Sequence, residues 1–173
     1  MTGPCFVDAN VFVYARDPRD ARKQQRAEQW IDLLWRERSG RTSAQAIAEF
    51  YAVATRKLAV PAERAWEYAE RYLAWRPAPV DDTLLRRARE LEQRYRLSWW
   101  DAMIAAAAQL QDCALLLSED LQDGMALGPV TVRSPFTLAL GEPTAAYDAA
   151  PRTALRHRPR GRPKRSGVRP TAG

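Results

Sequence analysis

The stretch that most limits the fold is Leu97-Ser98-Trp99-Trp100-Asp101-Ala102-Met103-Ile104-Ala105-Ala106-Ala107-Ala108-Gln109-Leu110. No polar side chain interrupts it between Ala102 and Ala108, so a helix formed here is apolar around its circumference and has to be buried. Ser98 fits the N-cap, which makes Asp101 the third helical residue. Ser-x-x-Asp is then the spacing of a capping box, in which the acid satisfies a free backbone amide. Asp101 therefore has a structural role available before any chemical one.

Upstream, Pro4-Cys5-Phe6-Val7-Asp8 reads as a buried strand with Asp8 at its carboxyl end. Ala27, Trp30, Ile31, Leu34 and Trp35 recur at helical spacing, and the helix is expected to stop near Ser39-Gly40. Gly40-Arg41-Thr42 suits a short strand, after which Ser43 caps a helix with Ile47, Phe50, Tyr51 and Ala54 on its apolar face and Glu49 on the flank. Pro61 starts a helix marked by Ala65, Trp66, Ala69, Tyr72 and Leu73. Arg76-Pro77-Ala78-Pro79-Val80 reads as a short edge strand, the one place in a sheet where proline is tolerated.

Asp81 or Asp82 caps the next helix, with Leu84, Ala88, Leu91 and Tyr95 on one side. Beyond the alanine-rich helix, Ala114-Leu115-Leu116-Leu117-Ser118 and Val130-Thr131-Val132 are strands. Strands with continuous apolar cores alternating with helices predict an α/β fold whose sheet is parallel and covered on both faces. Ligands collect at the carboxyl ends of strands in such sheets. Asp8 and Asp120 occupy those ends, and a helix beginning at Asp101 faces the same edge.

The formal charge of +6 is unevenly placed. Residues 142–173 hold eight Lys or Arg and two acids, leaving nineteen of each sign in the remainder. The division is thus a folded domain over 1–141 and a basic Pro/Arg/Gly-rich tail over 142–173, too poor in apolar surface to offset the entropy of ordering. Cys5 and Cys113 lie beside apolar runs with no zinc-ligand spacing and read as reduced core residues. The chain starts with no signal-peptide pattern and contains no run of membrane-spanning length, which makes a cytoplasmic location the default and excludes a membrane partner. The single histidine, His157, falls in the tail, so any chemistry in the domain rests on carboxylates.

Four acids stand out: Asp8, Glu49, Asp101 and Asp120, with Asp123 close by. Each has an ordinary alternative, as a strand terminator, a solvated helix acid, a cap and a turn former respectively. Taken together they point elsewhere. Carboxylates about 4 Å apart repel by about 4 kcal/mol per pair at an effective dielectric near 20, so a cluster needs a cation. Oxygen ligands without His or Cys select Mg²⁺ or Mn²⁺, held by a few carboxylates, waters and substrate phosphates. A phosphodiester is the natural substrate of such a site.

Phe6-Val7-Asp8-Ala9-Asn10-Val11, Ser43-Ala44-Gln45 leading to Glu49-Phe50, Leu97-Ser98-Trp99-Trp100-Asp101-Ala102 and Leu117-Ser118-Glu119-Asp120-Leu121 together resemble the PIN domain. The likeness runs from Met1 to about Leu140 and is nearest to the toxin ribonucleases of VapBC-type toxin-antitoxin pairs. It implies a Rossmann-like α/β/α sandwich with a central five-stranded parallel sheet, a Mg²⁺- or Mn²⁺-dependent endoribonuclease activity on RNA, homodimerisation, and inhibition by a cognate antitoxin protein. By motif, Asp8, Glu49 and Asp101 match the metal-binding acids. Asp120 matches the fourth acid, which positions metal or water. Asn10 and Ser118 match polar positions that orient the acids or a phosphate, while Asp123 falls where family members vary.

Two further classes compete. A haloacid-dehalogenase-type phosphohydrolase also ends its first strand on an aspartate but carries a second one where this chain has Asn10. A PIN-like module that binds RNA or a partner without cutting is the non-enzymatic alternative. In the tail, Pro159-Arg160-Gly161-Arg162-Pro163-Lys164-Arg165 resembles an AT-hook, whose arginines enter the narrow minor groove of A/T-rich DNA. Arg160, Arg162, Lys164 and Arg165 are its candidate contacts, against the plainer reading of a solvated basic tail.

Overall fold

The computed structural model describes residues 3–140. The expectations placed on the tail, including the disorder of 142–173 and the contacts of Arg160, Arg162, Lys164 and Arg165, lie outside the described residues. Eleven elements follow one another: β1 (Cys5–Val7), α1 (Ala9–Tyr14), α2 (Ala21–Arg36), β2 (Gly40–Arg41), α3 (Ala44–Arg56), α4 (Ala62–Leu73), α5 (Asp82–Tyr95), α6 (Trp99–Leu110), β3 (Leu115–Leu117), β4 (Ala126–Leu127) and β5 (Val130–Arg133). The strands form one sheet in the order β2-β1-β3-β5-β4. Cys5 pairs with Gly40 and Leu115, and Leu115 with Thr131, all in parallel; only β4 runs antiparallel, against β5.

Successive strand residues point to opposite faces, and each face has its own core. Phe6, Leu116, Val130 and Val132 pack under α5 and α6, with Leu84, Leu91, Met103 and Ile104. Cys5, Val7, Leu115 and Leu117 pack on the other side with Phe12, Trp30, Leu34, Phe50 and Tyr72 from the first four helices. This is the sandwich expected from the strand and helix pattern. Residues Asp101 to Ala108 are all buried, as an apolar helix between sheet and α5 requires. No helix among the described residues is long and apolar enough to cross a membrane.

Three details differ from the sequence reading. Arg76–Val80 is not a strand: it makes a single parallel bridge, Ser43 to Ala78, with the Ala78 amide donating to Thr42 O at 3.0 Å. Pro77 and Pro79 flank that amide and have no N–H to continue the ladder. The fifth strand is instead Ala126–Leu127, joined to β5 through Gly128, whose φ of +63° suits a residue without a Cβ. The stop of α2 also has another cause. The left-handed residue is Arg38, at φ +54°, while Gly40 sits in β2 where an added Cβ would come within 2.7 Å of the Trp75 ring.

Candidate active site

Asp8 follows the last residue of β1 and caps α1, its Oδ1 accepting from the Ala9 amide at 2.7 Å. Only 1% of it is exposed. Its Oδ2 accepts from the Ser118 hydroxyl at 2.8 Å and from Asn10 Nδ2 at 3.0 Å. Ser118 is the residue after β3, the neighbour of β1, so strand pairing alone brings it beside Asp8 across 110 positions of chain. The amide of Asn10 also reaches Ser118 Oγ at 3.2 Å, and Ser118 Oγ accepts from the Asp120 amide at 3.2 Å. Asn10 Oδ1 in turn accepts from the Glu119 amide at 3.4 Å. Asp8, Asn10, Ser118 and the backbone of Asp120 therefore form one network at the carboxyl edge of the sheet.

Asp101 lies in the first turn of α6, buried to within 7%. Ser98 is its N-cap, as expected, with the Asp101 amide donating to Ser98 Oγ at 3.2 Å. The reciprocal half of the capping box is altered. Asp101 Oδ2 accepts from the Ser98 hydroxyl at 2.6 Å, not from its backbone amide, so one hydroxyl holds both the helix end and the carboxylate. Oδ1 receives no hydrogen bond from the described residues. Glu49 is half-buried on α3, its Oε1 accepting from Gln45 Nε2 one turn earlier at 2.8 Å. Asp120 is exposed on the rim.

Asp123 belongs to a different network. Its Oδ1 accepts from Arg133 Nε at 2.8 Å and from the Ser134 amide at 2.9 Å, and its Oδ2 from the Thr137 hydroxyl at 3.3 Å. Those bonds tie the segment after β5 to the loop after β3. A neighbour the sequence reading missed is the Lys23–Glu119 ion pair, 2.6 Å long, on the shoulder of the Ser118 loop. Burial pushes the Lys23 ammonium down, but Glu119 and Tyr14 together outweigh it and the net direction is up. Burial, reinforced by Glu119, likewise raises the nearby Tyr14 phenol. The two ends of this pair are 96 residues apart, and no motif signals the contact.

Among the described residues, no three His, Cys, Asp or Glu side chains are gathered closely enough to hold a metal ion. The donor chemistry nevertheless suits a hard cation. The acids are all oxygen donors, and Asp101 presents an oxygen with no protein donor on it. Mg²⁺ commonly takes only one or two carboxylates and completes its shell with water and substrate phosphate. A concavity of about 900 Å³ between α2 and α4, lined in part by Arg16, Ile31, Trp35, Tyr68 and Tyr72, contains none of the four acids.

Comparison with known proteins agrees with this architecture. The crystal structure of Mycobacterium tuberculosis VapC20, a sarcin-ricin loop cleaving toxin, is similar to the chain with a TM-score of 0.51 and 21% identity. The match covers 65% of this chain and 86% of that one, and shows a shared fold. No curated protein matches. The PIN domain family model matches residues 5–122, a span that runs from β1 through the Ser118–Asp120 loop and holds Asp8, Glu49, Asp101 and Asp120. With that span covering more than half of the sequence, the chain belongs to the PIN domain family.

Proposed function

We propose that the protein is a divalent-metal-dependent endoribonuclease and the toxin of a VapBC-type toxin-antitoxin pair. The observation that carries this reading is Asp8, a buried carboxylate at the carboxyl edge of a mostly parallel sheet, with one amide, one hydroxyl and one carboxamide directed at its oxygens. The likeness to VapC20 supports the choice of RNA and of an antitoxin partner.

In this reading Asp8, Glu49, Asp101 and Asp120 hold Mg²⁺ or Mn²⁺. When bound, the ion polarises the scissile phosphate, lowers the pKa of an attacking water and stabilises the leaving oxygen. Ser118 and Asn10 fix the Asp8 carboxylate, Ser98 fixes that of Asp101, and Gln45 fixes that of Glu49. Such preset orientation lowers the reorganisation needed when substrate arrives. Asp120, on the exposed rim, orients the water. The antitoxin docks as an amphipathic helix in the α2/α4 concavity, where Ile31, Trp35 and Tyr68 offer an apolar floor and Arg16 and Arg71 a charged border. The active form is a homodimer in the cytoplasm, and the basic tail adds affinity for nucleic acid, A/T-rich DNA included, through counterion release.

Cleavage of RNA by the full chain, followed with Mg²⁺, with Mn²⁺ and with chelator, tests the assignment. Activity is expected with either metal, and none with chelator or in folded Asp8→Asn and Asp101→Asn variants. Either ion is also expected to raise the melting temperature of the parent and not of Asp8→Asn. Undiminished cleavage in both variants refutes the site. RNA binding without cleavage under any metal favours the non-catalytic module, and a trapped phosphate ester on Asp8 favours the phosphohydrolase.

A further inference from the structure

The carboxyl-terminal ends of α2, α4 and α6 converge on a second concavity, of about 600 Å³, lined by Trp35, Arg38, Arg41, Trp75, Arg76 and Gln111 among others. It lies at the edge of the sheet opposite the acids. Gly40 on its wall pairs with Cys5, the first residue of β1, whereas Asp8 follows the last. α6 links the two places: Asp101 is in its first turn and Gln111 caps its last, about 15 Å further along at the helical rise.

The lining contains no acid, and Arg38, Arg41 and Arg76 have no ion-pair partner among the described residues. Arginines near helix carboxyl ends commonly answer the helix dipole, and Arg41 does donate to the carbonyls of Gly40, at 2.9 Å, and Arg38, at 3.4 Å. That role does not consume the charge present. Each guanidinium carries a full positive charge against about half a charge at a helix end, and Glu37 and Asp112, the acids next to these helix ends in sequence, are not among the residues lining the concavity.

The aromatic half of the concavity is equally specific. The edge of Trp75 lies over Gly40, at a position where any Cβ would intrude to 2.7 Å. Trp35 stands beside it with ring centroids 5.9 Å apart and is 40% exposed. An indole held against backbone, a second that is partly exposed with the Arg71 guanidinium 6.0 Å from its ring centroid, and guanidinium groups with no acid among the lining residues suit stacked bases and phosphates.

We propose that this concavity is a binding site for single-stranded RNA, with an unpaired base stacked on Trp35 and the flanking phosphates on Arg38, Arg41 and Arg76. A volume near 600 Å³ falls in the range of about 300–1,000 Å³ typical of built ligand sites. The inference rests on the ribonuclease reading only in naming RNA as the polymer. It gives the enzyme a hold on its substrate remote from the bond it cuts.

The test is the binding of a fluorescent single-stranded oligoribonucleotide to the full chain in chelator, so that cleavage plays no part. R38N/R76N removes two charges while retaining residues that tolerate the left-handed backbone found there, φ +54° and +51°. Affinity is expected to fall about tenfold or more, and the slope of log affinity against log salt by about 1.4, or about 0.7 for each phosphate that is no longer neutralised. W35A is expected to weaken binding at least about fivefold with the slope unchanged. R41Q, on the edge strand, replaces the double variant if that one does not fold. Unchanged affinity and slope in the folded charge variants overturns the proposal and leaves the arginines as helix-end counterions. Equal binding of a duplex of the same sequence overturns it too, because paired bases cannot stack on Trp35. Absence of cleavage with Mg²⁺ or Mn²⁺ present, with RNA binding at this face intact, counts against the ribonuclease reading alone.

Discussion

The double use of Ser98 makes a quantitative prediction. Its Oγ accepts from the Asp101 amide at 3.2 Å and donates to Asp101 Oδ2 at 2.6 Å. Ser98→Ala removes an N-cap, which costs about 1 kcal/mol. It also removes a hydrogen bond to a charged group, which contributes about 1.5–3 kcal/mol. Partial exposure of Ser98 reduces the second figure, so the expected total is about 2–3 kcal/mol, or about 5–10 °C in melting temperature for a chain of this size. Asp101→Asn keeps an oxygen to accept the hydroxyl and removes a buried charge, and should cost no more than about 1 kcal/mol. In the double variant the charge-assisted bond is already gone when the amide is introduced. The two losses should therefore fall short of additivity by up to about 1 kcal/mol. Urea unfolding of the four proteins in chelator measures this coupling. RNA cleavage supplies the contrast, since Asp101→Asn should lose at least about a hundredfold, the scale on which removal of one preset electrostatic group slows an enzyme. Additivity within about 0.5 kcal/mol would show that the hydroxyl does not hold the carboxylate. Asp101→Asn as destabilised as Ser98→Ala, with cleavage retained, would reduce Asp101 to a cap.

Asp123→Ala should cost about 2–3 kcal/mol by releasing Arg133, Ser134 and Thr137, while cleavage per folded molecule stays near that of the parent; a selective loss of activity would return Asp123 to the site. Gly40→Ala should lower the urea midpoint by about 1–3 kcal/mol equivalent, because its Cβ meets the Trp75 ring at 2.7 Å, and a neutral result would show that the ring yields freely. Burial pushes the Cys5 thiol up and that of Cys113 to about 12. Between about pH 9 and 12 the unfolded thiols ionise and the folded ones do not, so the unfolded state binds fewer protons and stability falls as pH rises, by up to about 1.4 kcal/mol per unit per thiol. Burial of Tyr14 and Tyr72 adds a loss of the same sign from about pH 10. Thiol titration at pH 8 should find neither cysteine reactive until the protein is unfolded, and ready labelling of the native protein would contradict that protection.

The features visible in the sequence are those that local periodicity or position encodes. Continuous apolar triplets identify β1 and β3, and the same pattern places Asp8 and Ser118 at strand ends, so their contact follows from parallel pairing. Helix caps at Ser43, Asp81 and Ser98 are equally local. Tertiary packing sets the rest. Ala126–Leu127 is too short to show a period, although Gly128-Pro129 marks the turn that pairs it with β5. Gly40 resembles a helix stop in the sequence, and only the presence of Trp75 above it explains its lack of a side chain. Lys23 and Glu119 meet because α2 lies over the loop after β3, which no motif records.

The acids themselves illustrate the same division. A common edge is what the α/β architecture leads one to expect for them, since strands end and helices begin there. Their closeness is not, and no three acidic side chains are gathered among the described residues. Neutral donors reach three of the acids: Ser118 and Asn10 on Asp8, Gln45 on Glu49 and Ser98 on Asp101. A neutral donor orients a carboxylate without cancelling its charge, whereas an arginine in the same place would compete with an incoming cation. Mutating Gln45 to Arg should therefore weaken Mg²⁺ or Mn²⁺ binding more than Gln45→Ala does, even though the arginine makes the stronger bond to Glu49. Equal metal affinity in the two variants would remove Glu49 from the proposed metal site.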